Sequence, residues 1–352
     1  KGMVSIRTMI ELMRGERRGV LASLLRGLLW TAQWPYVLIV RWRNRRFDRG
    51  HETTHVSVPV ISVGNITTGG TGKTPAVAWL CRHLRDRLVR VAILSRGYRA
   101  DQSGVNDEAL ELEQRLPDVP HLQNPNRVAS AGIAIEELES QCLVLDDGFQ
   151  HRRLNRDLDW VLVDALNPFG FGHCLPRGLL REPRRGLKRA DAVLITRANQ
   201  IPESELKALV SEVKSVVGGE TPLIRTTHHC EGWRDTEGAL QPLEQWNHAR
   251  VAGFCAIGNP DAFRATLESQ GCDVVGWRTF PDHHRYDRGD IQELTDWVSR
   301  QEVEVVVCTV KDLVKLNVAR IGNVPLVALQ VGFAFIDDPQ PLISQIDGIL
   351  PP

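Results

Sequence analysis

From Pro59 onward, short apolar runs alternate along the chain with amphipathic stretches of helix length. This alternation predicts an α/β fold, in which a mostly parallel sheet is covered by helices on both faces. The predicted strands comprise residues 60–63, 89–94, 143–145, 161–163 and 193–195. Ligands of doubly wound sheets bind just beyond the carboxyl ends of the strands. The chemistry is therefore expected among the polar residues and glycines at these ends: Gly64, Asn65, Ser95, Arg96, Gly97, Tyr98, Asp146, Asp147, Gly148, Asp164, Thr196 and Arg197.

The pattern lapses into polar, turn-rich sequence at residues 218–219 and over 226–238, and then resumes. The later predicted elements are a strand over 251–257, a helix over 262–270, and strands near Val274 and over 303–308. A domain boundary is expected near residue 228, where the pattern is weakest. The sequence thus predicts three parts: an N-terminal helical segment (1–50), a core α/β domain (51–228) and a smaller C-terminal α/β domain (229–352).

Charge and cysteine content exclude several classes of protein. The 43 lysines and arginines balance the 43 aspartates and glutamates of the 352-residue chain. No net charge therefore draws the molecule onto nucleic acid, and no nucleic-acid partner is expected. The seven cysteines are odd in number, widely scattered and never in a Cys-x-x-Cys pair. This pattern argues against a disulfide framework and a zinc site, and it fits a reducing compartment.

Residues 20–40 form a mostly apolar stretch, and an arginine cluster follows it up to residue 49. Cleavage as a signal peptide is not expected, because arginines rather than a small-residue cleavage site follow the apolar stretch. A transmembrane helix is possible on length, but Pro35, Arg26 and two basic flanks are unfavourable. Ser23, Arg26 and Gln33 share one helical face, which favours a helix lying in the membrane interface. A hairpin buried against the core is the remaining alternative.

A glycine-rich turn joins the first predicted strand to a helix predicted over 76–88. Glycine amides in such a turn can bind phosphate oxygens, Lys73 can reach the β- and γ-phosphates, and the Thr74 hydroxyl can ligate Mg²⁺. The strict phosphate-loop pattern has glycine at the position of Thr67, so this loop is a variant. A related loop in ParA/MinD-type membrane ATPases carries a signature lysine at the position of Thr68. The residues expected to bind ATP are Thr67, Thr68, Gly69, Gly70, Thr71, Gly72, Lys73 and Thr74.

Two further clusters carry charge. Asp146 and Asp147 follow a predicted buried strand, which is the placement of a magnesium ligand beside a phosphate loop, although two acids before a glycine also occur in simple turns.

Six cations lie within residues 177–189. We interpret them as a basic rim for an acceptor phosphate or anionic headgroups, the alternative being a solvated helix face.

Four motifs in order resemble the tetraacyldisaccharide 4'-kinase (lipid A 4'-kinase) family. They are GNITTGGTGKTP at 64–75, LSRGY at 94–98, DDGFQH at 146–151 and LPRGLLRE at 175–182. The likeness extends from the apolar N-terminus to about Lys315. It implies a P-loop kinase that transfers a phosphoryl group from ATP, with Mg²⁺, to the 4'-hydroxyl of a tetraacylated disaccharide 1-phosphate. It also implies a location at the cytoplasmic face of the bacterial inner membrane.

The resemblance assigns roles that the residues alone do not. It implies that Asp107 is the base acting on the sugar hydroxyl, assisted by His283 of the Phe-Pro-Asp-His-His motif at 280–284, with Lys73 as the third catalytic residue. Asn106 and Ala109 depart from the family's glycine and proline around this acid. The metal ligands implied are Thr74, Asp146, Asp147 and Glu108. The positions matching polar residues near the acceptor are Asn65, Arg96, Tyr98, Arg127, Gln150, His151 and Arg181.

Three functions therefore compete at this point. A lipid kinase needs the acid and histidine pair in addition to the loop, because phosphoryl transfer requires an oriented acceptor hydroxyl. A membrane ATPase that moves a partner would carry the signature lysine at position 68, where this chain has a threonine. A nucleotide-binding module without catalysis would tolerate the loss of Asp107.

Overall fold

The structure is a computed structural model that describes residues 6–50, 52–97, 107–258, 260–281, 284–316 and 318–351, with the backbone alone at residues 6, 7, 107 and 108. The chain forms two compact units. The first comprises residues 1–96, 119–227 and 333–352, and the second comprises residues 97–118 and 228–332. The division predicted from the sequence, at residues 50 and 228, is a different partition and stays a prediction.

The strands are β1 (Val60–Asn65), β2 (Val91–Ser95), β3 (His121–Gln123), β4 (Cys142–Asp146), β5 (Leu158–Asp164), β6 (Ala192–Thr196), β7 (Leu223–Arg234), β8 (Leu240–Gln241), β9 (Arg250–Cys255), β10 (Asp273–Thr279), β11 (Val305–Thr309), β12 (Arg320–Ile321) and β13 (Val324–Phe335). The helices are α1 (Ile6–Arg14), α2 (Val20–Asp48), α3 (Lys73–Asp86), α4 (Asp107–Arg115), α5 (Arg127–Glu136), α6 (Glu203–Val217), α7 (Pro260–Ser269), α8 (Arg288–Val298), α9 (Val310–Leu316) and α10 (Gln340–Ile349).

The first unit contains a parallel sheet with strand order β3-β2-β4-β1-β5-β6, and the first half of β7 pairs with β6. All six residues of β1 are buried. Burial of consecutive residues is expected for a parallel strand with helices on both faces, since neither face of the sheet meets water. The five strands predicted for this region are present, and the α/β fold is confirmed.

Two clusters of buried apolar side chains form the core of the first unit. One includes Phe149, Val161 and Ile195 and reaches Val37 of α2. The other includes Val60, Leu94 and Leu143. Burial of such side chains contributes roughly 1.5–3 kcal/mol each. The two clusters therefore fix β1 and its neighbours, from which the loops of the site emerge.

The second unit has its own parallel sheet, with order β10-β9-β11-β13. Helix α4 packs against α9. The carboxylate of Asp312, at the start of α9, is fully buried and accepts hydrogen bonds from Thr309, Ala256 and Tyr286. Strand β7 was not predicted, and the interpretation of residues 226–238 as turn-rich sequence is wrong over residues 226–234.

Helix α2 is longer than the predicted 20–40 and continues through Pro35 to Asp48. Its buried residues are Gln33, Val37 and Val40, so the face predicted to be polar at Gln33 is turned toward the protein. Much of the remaining surface is apolar and exposed, with Leu24 at 66% and Leu28 at 64%. A hairpin buried against the core therefore does not describe α2. Among the described residues, none of the helices combines the length and apolar content needed to cross a membrane.

Gly64 of β1 offers a test of how closely the loop after β4 approaches this strand. A Cβ on Gly64 would lie 2.7 Å from Cβ and 2.8 Å from the backbone nitrogen of Phe149. Because that backbone is packed in the core, we expect Gly64→Ala to lower the free energy of unfolding by about 1–3 kcal/mol in urea denaturation. Gly132→Ala in α5, where a Cβ would meet nothing within 4 Å, is the control. It should leave stability unchanged or raise it by up to about 1 kcal/mol, and equal losses would contradict the prediction.

Candidate active site

The glycine-rich turn lies between β1 and α3, as the sequence predicts. Gly69 and Gly72 have φ values of 115° and 83°, in the region that favours glycine. Lys73 and Thr74 are the first residues of α3, so its unpaired amides and positive dipole end face the loop. This arrangement is a ready-made anion site.

Thr67 and Thr68 lie at the start of the loop, where the strict pattern would have its first glycine. Thr67 forms an isolated antiparallel bridge with Leu180, and the amide of Thr68 donates to the carbonyl of Leu179 at 2.8 Å. The amide of Arg181 donates to Ile66 at 2.8 Å. The first part of the loop is therefore paired with the LPRGLLRE motif, and Thr67 has no positive φ that would require glycine.

The two acids after β4 have different environments. Asp146 is the last residue of β4 and is buried, whereas Asp147 has a left-handed backbone (φ 54°) and is partly exposed. Asp147 accepts two hydrogen bonds from one guanidinium nitrogen of Arg181, at 2.7 and 2.8 Å, and lies 3.6 Å from Nζ of Lys73. The loop lysine and the motif arginine thus share one carboxylate.

The charges around Asp147 determine its protonation. Partial burial alone would raise the pKa of this carboxyl, but Lys73, Arg181 and the hydrogen bonds from Arg181 outweigh that effect and lower the pKa to about 2. Asp147 is therefore ionised at neutral pH. The stability that this pairing contributes is present above the ordinary aspartate pKa and is lost as pH falls toward 2.

Glu182, which follows Arg181 in the chain, is a buried carboxylate. Its side chain is fully buried and forms an ion pair with Arg189 at 2.9 Å. Gln150 donates to Glu182 at 3.0 Å and to the carbonyl of Asn65 at 2.8 Å, and Asn44 of α2 donates to Glu182 at 3.2 Å. The predicted acceptor residue Gln150 is thus bound to both β1 and the motif.

The other predicted acceptor residues lie around the same strand ends. The Asn65 amide donates to the Thr71 hydroxyl at 2.9 Å, and buried Arg127 donates to the carbonyl of Asp146 at 3.2 Å. Burial lowers the pKa of Arg127. Burial, followed by nearby arginines, lowers the pKa of His151 to about 4, so this imidazole is neutral at pH 7. Arg96 follows β2 directly.

Some predicted residues are outside the described part of the chain. Tyr98 and His283 are not described, and at Asp107 and Glu108 the backbone alone is described, as the first residues of α4. The neighbouring His284 is described: its Nε2 lies 2.8 Å from Asp290, a capping residue of α8. That contact gives His284 a structural role, and the roles predicted for Asp107 and His283 stay predictions.

The basic run at 177–189 is largely engaged within the chain. Arg177 donates to the carbonyl of Met13, Arg184 pairs with Glu212, and Arg181 and Arg189 pair with the two acids described above. These four arginines therefore hold segments of the protein together. In the described ranges, no three or more histidine, cysteine, aspartate or glutamate side chains cluster as a metal site.

Sequence reasoning missed the contribution of α2. The Tyr36 hydroxyl donates to the carbonyl of Arg181 at 2.6 Å, and Asn44 reaches Glu182. Both residues lie within residues 20–49, for which the sequence favoured a helix in the membrane interface and predicted no polar contact with the site. Their polar tips in an apolar helix were the available signal, because buried polar groups require partners.

A glycine-rich loop between β1 and α3, a lysine at the start of α3 and acids at the end of the adjacent strand β4 define an α/β nucleotide-binding protein of the P-loop NTPase type. The comparisons specify the family. A profile of the LpxK family, described as tetraacyldisaccharide-1-P 4'-kinase, matches residues 25–351. The chain therefore belongs to the tetraacyldisaccharide-1-P 4'-kinase family.

Individual relatives agree. The tetraacyldisaccharide 4'-kinase of Anaeromyxobacter dehalogenans is 39% identical over 324 residues, covering 86% of this chain and 84% of the relative. That of Geobacter sulfurreducens is 34% identical, covering 97% and 98%. The crystal structure of LpxK from Aquifex aeolicus in complex with ATP matches with a TM-score of 0.78 and 28% identity, covering 93% of this chain and 100% of that chain.

The buried Glu182 leads to a stability prediction. Glu182→Gln removes the anion that faces Arg189, and loss of one partner of a buried pair costs about 3 kcal/mol. We expect that loss in the free energy of unfolding, measured by urea denaturation. Glu212→Gln is the matched control, because it breaks a surface pair with Arg184, where about 1 kcal/mol or less is expected. Equal losses would show that burial of Glu182 adds nothing to the strength of its pairing.

Proposed function

We propose that this chain is an ATP-dependent kinase that phosphorylates the 4'-hydroxyl of a tetraacyldisaccharide 1-phosphate, a step of lipid A biosynthesis. The observation that carries the proposal is the pairing of Lys73 and Arg181 on Asp147. This pairing joins the nucleotide loop to Arg181 of the LPRGLLRE sequence, which resembles a motif of the family. A general nucleotide-binding module needs only the loop.

The donor side of the reaction depends on positive charge and position. Phosphoryl transfer gains mainly from alignment and from neutralising charge on the transferred group. The loop amides and Lys73 would bind the β- and γ-phosphates. Arg181 would keep Asp147 ionised when Lys73 turns toward phosphate, because its own hydrogen bonds to Asp147 are independent of Lys73.

Mg²⁺ is part of this proposal. The Thr74 hydroxyl and the carboxylates of Asp146 and Asp147 are hard oxygen donors, and nucleotide-bound Mg²⁺ needs only one or two carboxylates besides phosphate oxygens. These residues fit such an ion, with Glu108 as a further candidate from the resemblance. The ion would neutralise charge on the transferred phosphoryl group.

The acceptor side rests on the resemblance. Asp107 would accept the proton of the sugar hydroxyl, and His283 would assist it. Asn65, Arg96, Tyr98, Arg127, Gln150, His151 and Arg181 are proposed to surround the acceptor.

The proposed location is the cytoplasmic face of the bacterial inner membrane, with α2 lying in the interface. The exposed apolar residues of α2 include Val20, Leu24, Leu28, Ile39 and Trp42. Arginines follow the apolar stretch, and basic residues are attracted to anionic lipid surfaces.

The decisive experiment supplies labelled ATP, Mg²⁺ and the tetraacyl disaccharide 1-phosphate in mixed micelles. We expect label in the lipid at the 4'-position, and Lys73→Ala should reduce transfer at least a hundredfold, since it removes the cation nearest the phosphates. ATP hydrolysis without labelled lipid would support a membrane ATPase instead and would refute the kinase proposal.

The same assay tests the base. Asp107→Ala should reduce kcat by about 10²–10⁴-fold, the usual contribution of a general base, and leave nucleotide affinity nearly unchanged. Asp296→Ala, an exposed aspartate of α8, is the control and should behave as wild type. Equal loss of nucleotide binding and transfer in Asp107→Ala would contradict its role as base.

Membrane association is tested by vesicle sedimentation with phosphatidylglycerol-containing liposomes. Replacing Leu24, Leu28 and Ile39 together by Asn removes three exposed side chains, each worth about 1.5–3 kcal/mol if buried in lipid, so binding should fall at least tenfold. The control is Leu88→Asn, which removes a leucine that is 90% exposed outside α2 at φ 62°, a conformation that Asn tolerates. Undiminished binding of the triple variant would refute the interfacial placement of α2.

A further inference from the structure

The carbonyl groups of the phosphate loop have defined partners. When loop amides face phosphate oxygens, the carbonyls of the same peptides face elsewhere and need donors of their own. The Thr196 hydroxyl donates to the carbonyl of Thr71 at 2.9 Å, and the Arg197 guanidinium donates to the carbonyl of Gly70 at 3.0 Å. Two consecutive loop carbonyls are thus bound by two consecutive residues: Thr196, which ends β6, and Arg197, which follows it.

Arg197 is itself held in place. Its Nε donates to Asp164 at 2.8 Å, and a second guanidinium nitrogen pairs with the same carboxylate. Arg197 also has a left-handed backbone, with φ 56° and ψ 30°, which is uncommon for a residue with a long side chain. Asp164 ends β5 and is paired in register with Thr196, which ends β6. Both donors therefore lie at the end of β6, and the carboxylate that holds Arg197 lies at the end of the adjacent parallel strand β5.

Two hydrogen bonds converge on Thr71. Gly69 and Gly70 are exposed, whereas Thr71 is buried, with 3% of its surface accessible. Thr71 is bonded through its hydroxyl to Asn65 and through its carbonyl to Thr196. The exposed glycines are therefore followed by a residue whose hydroxyl and carbonyl are both hydrogen-bonded within the protein. Arg197 adds a hydrogen bond to Gly70 itself.

We propose that Thr196 and Arg197, with Asp164 behind them, are positioning residues that preset the phosphate loop for the nucleotide. The proposal rests on the ATP site of the proposed function. Preorganisation of a loop raises affinity because less ordering is needed on binding. Loss of these bonds should therefore weaken ATP binding and raise the KM for ATP, while the KM for the lipid acceptor stays unchanged.

The test compares hydroxyl-to-carbonyl bonds on neighbouring strands. Thr196→Val removes the bond to Thr71. Thr226→Val is the matched control, because the hydroxyl of Thr226 is also buried but donates to the carbonyl of Ile195 in β6, at 3.1 Å, instead of to a loop carbonyl. Affinity for a fluorescent ATP analogue is measured by titration without lipid, alongside thermal unfolding of each variant without nucleotide.

We expect Thr196→Val to weaken nucleotide binding about fivefold, as for loss of one hydrogen bond, and Thr196→Ser to restore binding to within about twofold. Arg197→Lys should weaken binding less than Arg197→Met, because an ammonium can retain one of the contacts. Thr226→Val should lower the unfolding temperature without changing affinity.

Unchanged affinity in both Thr196→Val and Arg197→Met would overturn the proposal, as would an equal loss of affinity in Thr226→Val. If Thr196→Val does not fold, the Arg197→Met and Arg197→Lys pair decides in the same titration. The readout separates this proposal from the kinase proposal: wild-type protein that binds nucleotide through this loop but never labels the lipid would refute the kinase and leave the positioning role standing.

Discussion

Asp147 carries the charge around which the first unit's candidate site is arranged. One carboxylate faces the loop lysine and accepts two hydrogen bonds from Arg181. Two cations near one anion leave net positive charge, which an incoming triphosphate can neutralise. The same cations lower the pKa of Asp147 to about 2, so its carboxylate stays ionised. Arg181 is fixed at its backbone as well, since its amide and carbonyl both have protein partners. The position of Lys73 before nucleotide binds therefore depends on a motif more than a hundred residues away in the chain.

The sheet explains why these groups meet. Strand β1 lies between β4 and β5, and all three run parallel, so their carboxyl ends lie at one edge. From β1 the chain continues to β2 on the far side of β4, then returns to β4 and crosses to β5. Such a reversal opens a crevice beyond the strand ends, and the phosphate loop, Asp147 and Asp164 all emerge there. Position in the fold, more than local sequence, brings these residues together.

The parts of this arrangement that the sequence predicted are those with a periodic or glycine signal. Buried parallel strands read as continuous apolar runs, and the loop has glycines that few other structures require. Strand β7 escaped because its middle residues, 227–231, are mostly polar and lie partly buried or exposed, so the strand lacks a continuous apolar run. Glu182 escaped because nothing local distinguishes a fully buried glutamate from a solvated one within a basic run. Asp164, Thr196 and Arg197 were recognised as strand ends, but their bonds to one another and to the loop depend on strand pairing.

Helix α2 connects two properties that the sequence presents separately. Its outer surface is apolar and exposed, while its inner side carries Tyr36 and Asn44, which bind Arg181 and Glu182. A surface helix with only a lipid-binding role would need no polar contact with the protein beyond its ends. Here two such contacts reach consecutive residues of the motif whose arginine holds Asp147. Glu182 is fully buried, and a buried carboxylate needs its hydrogen-bond donors. Displacement of α2 would remove Asn44, one of these donors, and would therefore cost free energy. The apolar helix is thereby held in one position relative to the phosphate loop, as an enzyme needs when its acceptor is a lipid and its donor is dissolved in water.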